Sequence, residues 1–160
     1  MSKRISGTVF YAILALVLSS TPAGAEGDGG GGGGNERRNS KLRPVQEVIE
    51  QGDFDAALVK LKALYQQNPK DPDVLNLLGY SYRKLGDFDS ALRHYQAALS
   101  VAPKHKGANE YLGELYLQTG QLHKAEERLA VLDKACFFGC KQYDELEDAI
   151  EAYKKKNGVK

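Results

Sequence analysis

Neither sign of charge is in excess: 22 Lys and Arg stand against 21 Asp and Glu in a chain of 160 residues. A balanced chain has no surplus of basic groups to grip a phosphate backbone, which argues against nucleic acid as a partner. Cysteine is scarce, at two residues, and histidine at three. No histidine lies three or four positions from another or from a cysteine, so no metal centre is legible in the spacing. No stretch alternates apolar and polar residues as a half-buried strand does. A Gly-rich phosphate loop, a nucleophile elbow and a helical His-Glu-x-x-His are all missing. The expectation is a protein without enzymatic activity, cofactor or metal.

Long apolar runs are missing as well. Val9 to Leu18 is the only candidate, and it stops well short of the roughly 20 residues that a spanning helix needs. Lys3 and Arg4 precede it, and Ala23-Gly24-Ala25 follows before Glu26. This order of charge, apolar run and small residues reads as a secretory signal peptide over 1–25, cleaved after about Ala25. Removal takes Lys3 and Arg4 with it, leaving a mature chain of about −1 charge that is expected in a periplasm or secreted, with no membrane span.

What is present is distributed unevenly. Of 17 glycines, a dense group lies between Gly27 and Gly34, and from Glu26 to about Lys41 the chain is glycine and polar residues. Such a segment has nothing apolar to bury and reads as a flexible tether over 26–41. Beyond it, apolar residues recur at helical spacing, as in Ala57, Leu58, Leu61 and Leu64, or Leu75, Leu78, Tyr82 and Leu85.

Internal repetition is the strongest signal. Gly52-Asp53-Phe54-Asp55-Ala56-Ala57-Leu58 recurs 34 residues later as Gly86-Asp87-Phe88-Asp89-Ser90-Ala91-Leu92, and more loosely after another 34 as Gly120-Gln121-Leu122-His123-Lys124-Ala125-Glu126. A second comb has the same period: Leu78, Gly79 and Tyr82 return as Leu112, Gly113 and Tyr116.

These residues resemble the tetratricopeptide repeat, a helix-turn-helix unit of 34 residues. In the repeat 72–105 the signature positions hold Leu75, Leu78, Gly79, Tyr82, Ala91, Tyr95, Ala98 and Pro103, departing only where leucine stands for tryptophan. The repeat 106–139 keeps Leu112, Gly113, Tyr116 and Ala125, with Asn109 and Phe137 as departures. The repeat of about 38–71 keeps Ala57 and Pro69 but has Val45 and Val48 where glycine and tyrosine belong, which predicts a short or irregular first helix. The resemblance implies an all-α helical-hairpin solenoid over 42–139.

The residues support that expectation independently. Gly79 and Ala91 are small enough for close helix approach, and Tyr82 and Tyr95 are large enough to fill the space between hairpins. Asp71 can cap the helix that Pro72 opens, and Asp53 and Asp87 can cap the second helices. Gly86 and Gly120 suit the tight reversals. Tyr143, Leu146, Ile150 and Tyr153 form one stripe, predicting a terminal capping helix over 140–157 whose end, Lys154 to Lys156, favours the helix dipole.

Cys136 and Cys140 flank Phe137-Phe138-Gly139. In an exported chain a disulfide is the simplest reading, because Gly139 can break the helix between them. Buried thiols, or a redox or metal pair, are the alternatives. His94 and His123 fall at surface positions of second helices, and His105 lies at the start of the third repeat. Glu110 and Glu114 lie one turn apart, a spacing that reads as solvated helix surface.

The resemblance further implies a concave surface, lined by the first helix of each repeat, that binds a partner peptide or helix. Its positions fall on Gln46, Ile49 and Glu50, then Asp73, Asn76, Tyr80, Arg83 and Lys84, then Glu110, Glu114, Leu117 and Gln118. Tyr80 and Arg83 are of the types that anchor interfaces. Members that clamp a C-terminal carboxylate use basic and asparagine side chains at five positions, here Leu42, Gln46, Leu77, Gly107 and Tyr111, and none is a cation. The expected function is a protein-binding scaffold. A redox or metal-handling protein acting through the cysteines, and a self-associating assembly subunit, are the rivals.

Overall fold

The computed structural model describes residues 33–159, and over these the chain is helical, with no strand. The signal peptide and the first part of the tether fall outside the described residues. Seven helices follow in order: α1 (Gly33–Glu50), α2 (Phe54–Gln67), α3 (Pro72–Lys84), α4 (Phe88–Val101), α5 (Lys106–Gln118), α6 (Leu122–Ala135) and α7 (Lys141–Asn157). The first six pair as three hairpins, and α7 lies against α5 and α6.

The repeat in sequence becomes a repeat in turn chemistry. Gly52, Gly86 and Gly120 all take positive φ, at 78°, 83° and 74°, where a side chain would be strained. Around each, one pair of backbone bonds recurs at the same offset. Gly52 donates to Ile49 and Asp53 to Val48; Gly86 to Arg83 and Asp87 to Tyr82; Gly120 to Leu117 and Gln121 to Tyr116. These bonds satisfy carbonyls that the ending helix leaves free.

The predicted caps form. Asp53 and Asp87 accept from the N–H of Ala56 and Ser90, both at 3.0 Å, and Asp71 accepts from Asp73 and Val74. Gln121 makes no such bond, in keeping with the looser third copy of the motif.

The first helix differs from expectation. It is a continuous helix of 18 residues beginning at Gly33, so it runs through the second half of the segment read as a tether and is neither short nor irregular. Once Leu42 and Val45 are buried against Ala57, Leu58, Leu61, Val74 and Leu78, extending a helix already nucleated costs little for residues such as Glu, Arg and Lys. Pro44 lies inside it, where its missing N–H removes one ladder bond.

Close packing of neighbouring helices, α3 on α4 and α5 on α7, depends on two glycines. A Cβ on Gly79 would stand 2.6 Å from two ring carbons of Tyr95, and one on Gly113 would stand 2.6 Å from Leu146. Tyr95 and Leu146 are both fully buried. α7 thus covers the last hairpin, with Leu146 and Ile150 buried beside Leu117, Ala125 and Leu132, and Tyr143 and Tyr153 packed around them.

Between α6 and α7 the chain reverses at Gly139, φ 82°, and Cys136 and Cys140 are joined as a disulfide with a Cα–Cα distance of 5.5 Å. Phe137 and Phe138, carried on this loop, are 89% and 95% exposed.

Candidate functional site

α3, α5 and α7 lie side by side as the first helices of successive units. Their shared face carries a cleft of about 510 Å³ lined by Tyr80, Arg83, Lys84, Glu110, Tyr111, Glu114, Lys141, Glu145 and Asp148. Each helix presents residues at steps of three and four, which is how one helix face reaches a common hollow.

Arg83 is the centre of this face. Its Nη2 is 2.6 Å from Glu114 Oε2, and its guanidinium carbon is 5.6 Å from the ring centroids of both Tyr80 and Tyr111. Those two rings are 4.9 Å apart and tilted. Burial opposes the charge of Arg83, but Tyr95, Glu114 and Tyr80 outweigh it and hold the guanidinium above its ordinary value. Lys84, exposed beside it, places Nζ 5.3 Å from the Tyr80 centroid. An aromatic pair flanked by two cations is fixed by both packing and electrostatics.

Glu110 is the unusual group. It is only 3% exposed, and burial, followed by the carboxylates of Glu145 and Glu114, raises its carboxyl to about 8. Lys141 opposes this shift but lies outside ion-pair distance, and a carboxylate removed from water without a paired cation favours its protonated form. Tyr111 beside it is likewise raised, first by burial and then by Glu110. Lys141 bonds Glu145 at 2.8 Å across one turn of α7.

Of the residues read from sequence, Tyr80, Arg83, Lys84, Glu110 and Glu114 come together in this cleft. Glu114, Leu117 and Gln118 border a second hollow of about 620 Å³ against Ala149, Tyr153 and Lys156 of α7. Gln46, Ile49, Glu50, Asp73 and Asn76 line neither. Ile49 packs on the first core cluster, Asn76 is buried, and Asp73 is held by His105, whose Nε2 lies 2.9 Å from Oδ1. The Nδ1 of that histidine accepts from the Ala108 N–H and caps α5, so the ring proton resides on Nε2.

Four readings need correction. Arg83 is a buried charge with partners inside the fold, because the neighbouring tyrosines and Glu114 close around it. Leu117 belongs to the last core cluster. Glu110 is not a solvated surface residue, since α7 packs over that part of α5. His94 is half-buried, stacked on Tyr82 at 5.4 Å, and its burial lowers its affinity for a proton.

Tyr111, Lys141, Glu145 and Asp148 also line the cleft, outside the partner-binding residues read from sequence, where Tyr111 enters only as a position of the carboxylate-clamping members. The signal for three of them lies in the sequence. Carrying the 34-residue register one unit further puts Lys141 at the position of Asp73 and Gly107, Asp148 at that of Tyr80 and Glu114, and Glu145 at that of Tyr111. α7 is therefore both a cover for the core and the next first helix. Among the described residues no group of three or more His, Cys, Asp or Glu is placed to hold a metal ion, and no helix is long and apolar enough to cross a membrane.

The fold and this face define a helical-hairpin repeat protein. The tetratricopeptide repeat family matches the chain over residues 76–136 and over 48–93, together more than half of it. The chain belongs to that family. Solved structures share the fold. The type III secretion translocator chaperone SycD of Yersinia enterocolitica is 19% identical with a TM-score of 0.65, over 78% of this chain and 88% of that one. PcrH, solved in complex with the chaperone-binding region of PopD, is 17% identical with a TM-score of 0.64, over 77% of this chain and 95% of that one. A thermophilic TPR protein of Thermus thermophilus is 23% identical with a TM-score of 0.64, over 76% of this chain and 66% of that one. No match was found among curated proteins.

Proposed function

We propose that the protein is an exported, non-enzymatic binding module that holds a peptide or helix of another protein in the cleft formed by α3, α5 and α7. The observation that carries this reading is the cleft itself, where two packed tyrosines, an exposed lysine and several carboxyls converge from three helices on one open hollow. Repeat folds of this kind bury little more than their own seams and leave such faces for partners. PcrH, bound to a region of PopD, is an instance in a protein of this fold, and transfer from it is by analogy.

The experiment is crosslinking and pull-down from the compartment where the protein resides, comparing wild type with Tyr80→Ala. Capture should fall tenfold or more in the variant, since an aromatic anchor commonly contributes about 2 kcal/mol. Undiminished capture would place the site elsewhere. Export rests on the charge, apolar run and Ala23-Gly24-Ala25 pattern of the first residues. N-terminal sequencing should find a mature chain starting near Glu26, and an intact Met1 would refute it.

A further inference from the structure

The charges of the cleft are unevenly satisfied. Arg83 is committed to Glu114 at 2.6 Å, and Lys84 lies over Tyr80. On α7, Lys141 reaches Glu145, but its side chain is 78% exposed, and such a surface pair is weakly held. Asp148 is exposed and forms no ion pair among the described residues. From α6, Arg128 turns to Asn109. Glu110, at the floor and more than nine-tenths buried, has no cation within ion-pair distance among the described residues. It faces Glu114 on its own helix and shares a hydrogen bond with Glu145 across the seam. Lys141 shows that an ammonium fits at the rim of this group.

We infer that the cleft recognises a basic side chain of its partner, a Lys or Arg that displaces Lys141 from Glu145 and supplies the counter-ion that Glu110 lacks. This rests on the groove reading and names the chemistry of what the groove takes. An arriving cation stabilises the ionised form of Glu110, so the carboxyl gives its proton to solvent as the pair forms. A guanidinium matches two carboxylates in its plane, and an ammonium serves as a point charge. The hollow of about 510 Å³ admits a long side chain. An acidic segment would meet Glu110, Glu114, Glu145 and Asp148 and is disfavoured.

The probe is a phage-displayed library of random peptides selected on the purified protein, with the tightest peptide then synthesised and titrated calorimetrically at pH 7 in phosphate and in Tris. Selected peptides should share a Lys or Arg, and its replacement by Gln should weaken binding at least tenfold. Binding should release close to one proton, read from the difference between buffers, and should tighten as pH rises from 6 to 8. Glu110→Gln should abolish the proton release, Glu145→Gln should weaken the preference for a cation without altering the buried position, and Lys141→Ala should bind several-fold more tightly. Peptides that depend on Tyr80 but bind without a cation, or without proton release, would overturn this inference and leave the groove reading standing. Peptides indifferent to Tyr80→Ala, or no selected peptide at all, would overturn both.

Discussion

The ring of Tyr95 lies where Gly79 has no side chain: a Cβ there would come within 2.6 Å of two ring carbons. Tyr95 is fully buried and its hydroxyl lies in the electrostatic field of Arg83, so the ring has little room to move aside. This one contact sets how closely α3 and α4 pack.

Gly79→Ala should therefore destabilise by about 1 to 3 kcal/mol, as overpacking in a rigid seam does. Gly113→Ala, facing Leu146, should cost less if the leucine end shifts. Chemical denaturation of both variants measures this. Wild-type stability in Gly79→Ala would show that the seam is looser than this geometry.

Arg83→Glu is expected to unfold the domain partly or wholly, because it sets a carboxylate beside Glu114 among buried tyrosines and removes their cation. Losing one partner of a buried pair commonly costs about 3 to 5 kcal/mol. Lys84→Glu, on the solvent side of Tyr80, should leave the melting temperature nearly unchanged. Thermal melts of the two variants side by side separate a structural cation from a surface one.

Stability should depend on pH through Glu110. Its carboxyl is raised to about 8 from an ordinary 4.5, so the unfolded chain loses this proton first as pH rises. Stability from this group is full below about 4.5, falls as pH rises through the interval, and levels above 8. Glu110→Gln removes that slope and should gain at least about 1 kcal/mol relative to wild type at pH 8 over pH 5. Parallel slopes in the two proteins would show an ionised Glu110.

Replacing Cys136 and Cys140 by serine should lower stability by about 2 kcal/mol, the loop entropy of so short a closure, while leaving the helices folded. Alkylation and mass spectrometry of freshly isolated protein should find neither thiol free.

Much of the fold was legible because its causes are local or periodic. Asp53, Asp71 and Asp87 act within one turn, and the glycines at 52, 86 and 120 recur at a fixed interval, so a single chain displays them. The extent of α1 was not legible. Polar residues before Leu42 carry no apolar stripe, and their helix follows from a nucleus that tertiary burial of Leu42 and Val45 provides.

The site divides along the same line. The repeat and its register are written in the chain, and with them the shared face of Tyr80, Arg83, Lys84, Glu110 and Glu114, because a 34-residue period fixes which residues of successive first helices lie side by side. Which of these side chains remain free is settled only by packing between helices. Arg83 is enclosed by Glu114 and two tyrosines, and Glu110 is roofed by α7, because burial depends on what the neighbouring helix places over a residue. For Glu110 and Glu145 that neighbour lies 35 residues away in the chain, beyond the reach of any local pattern.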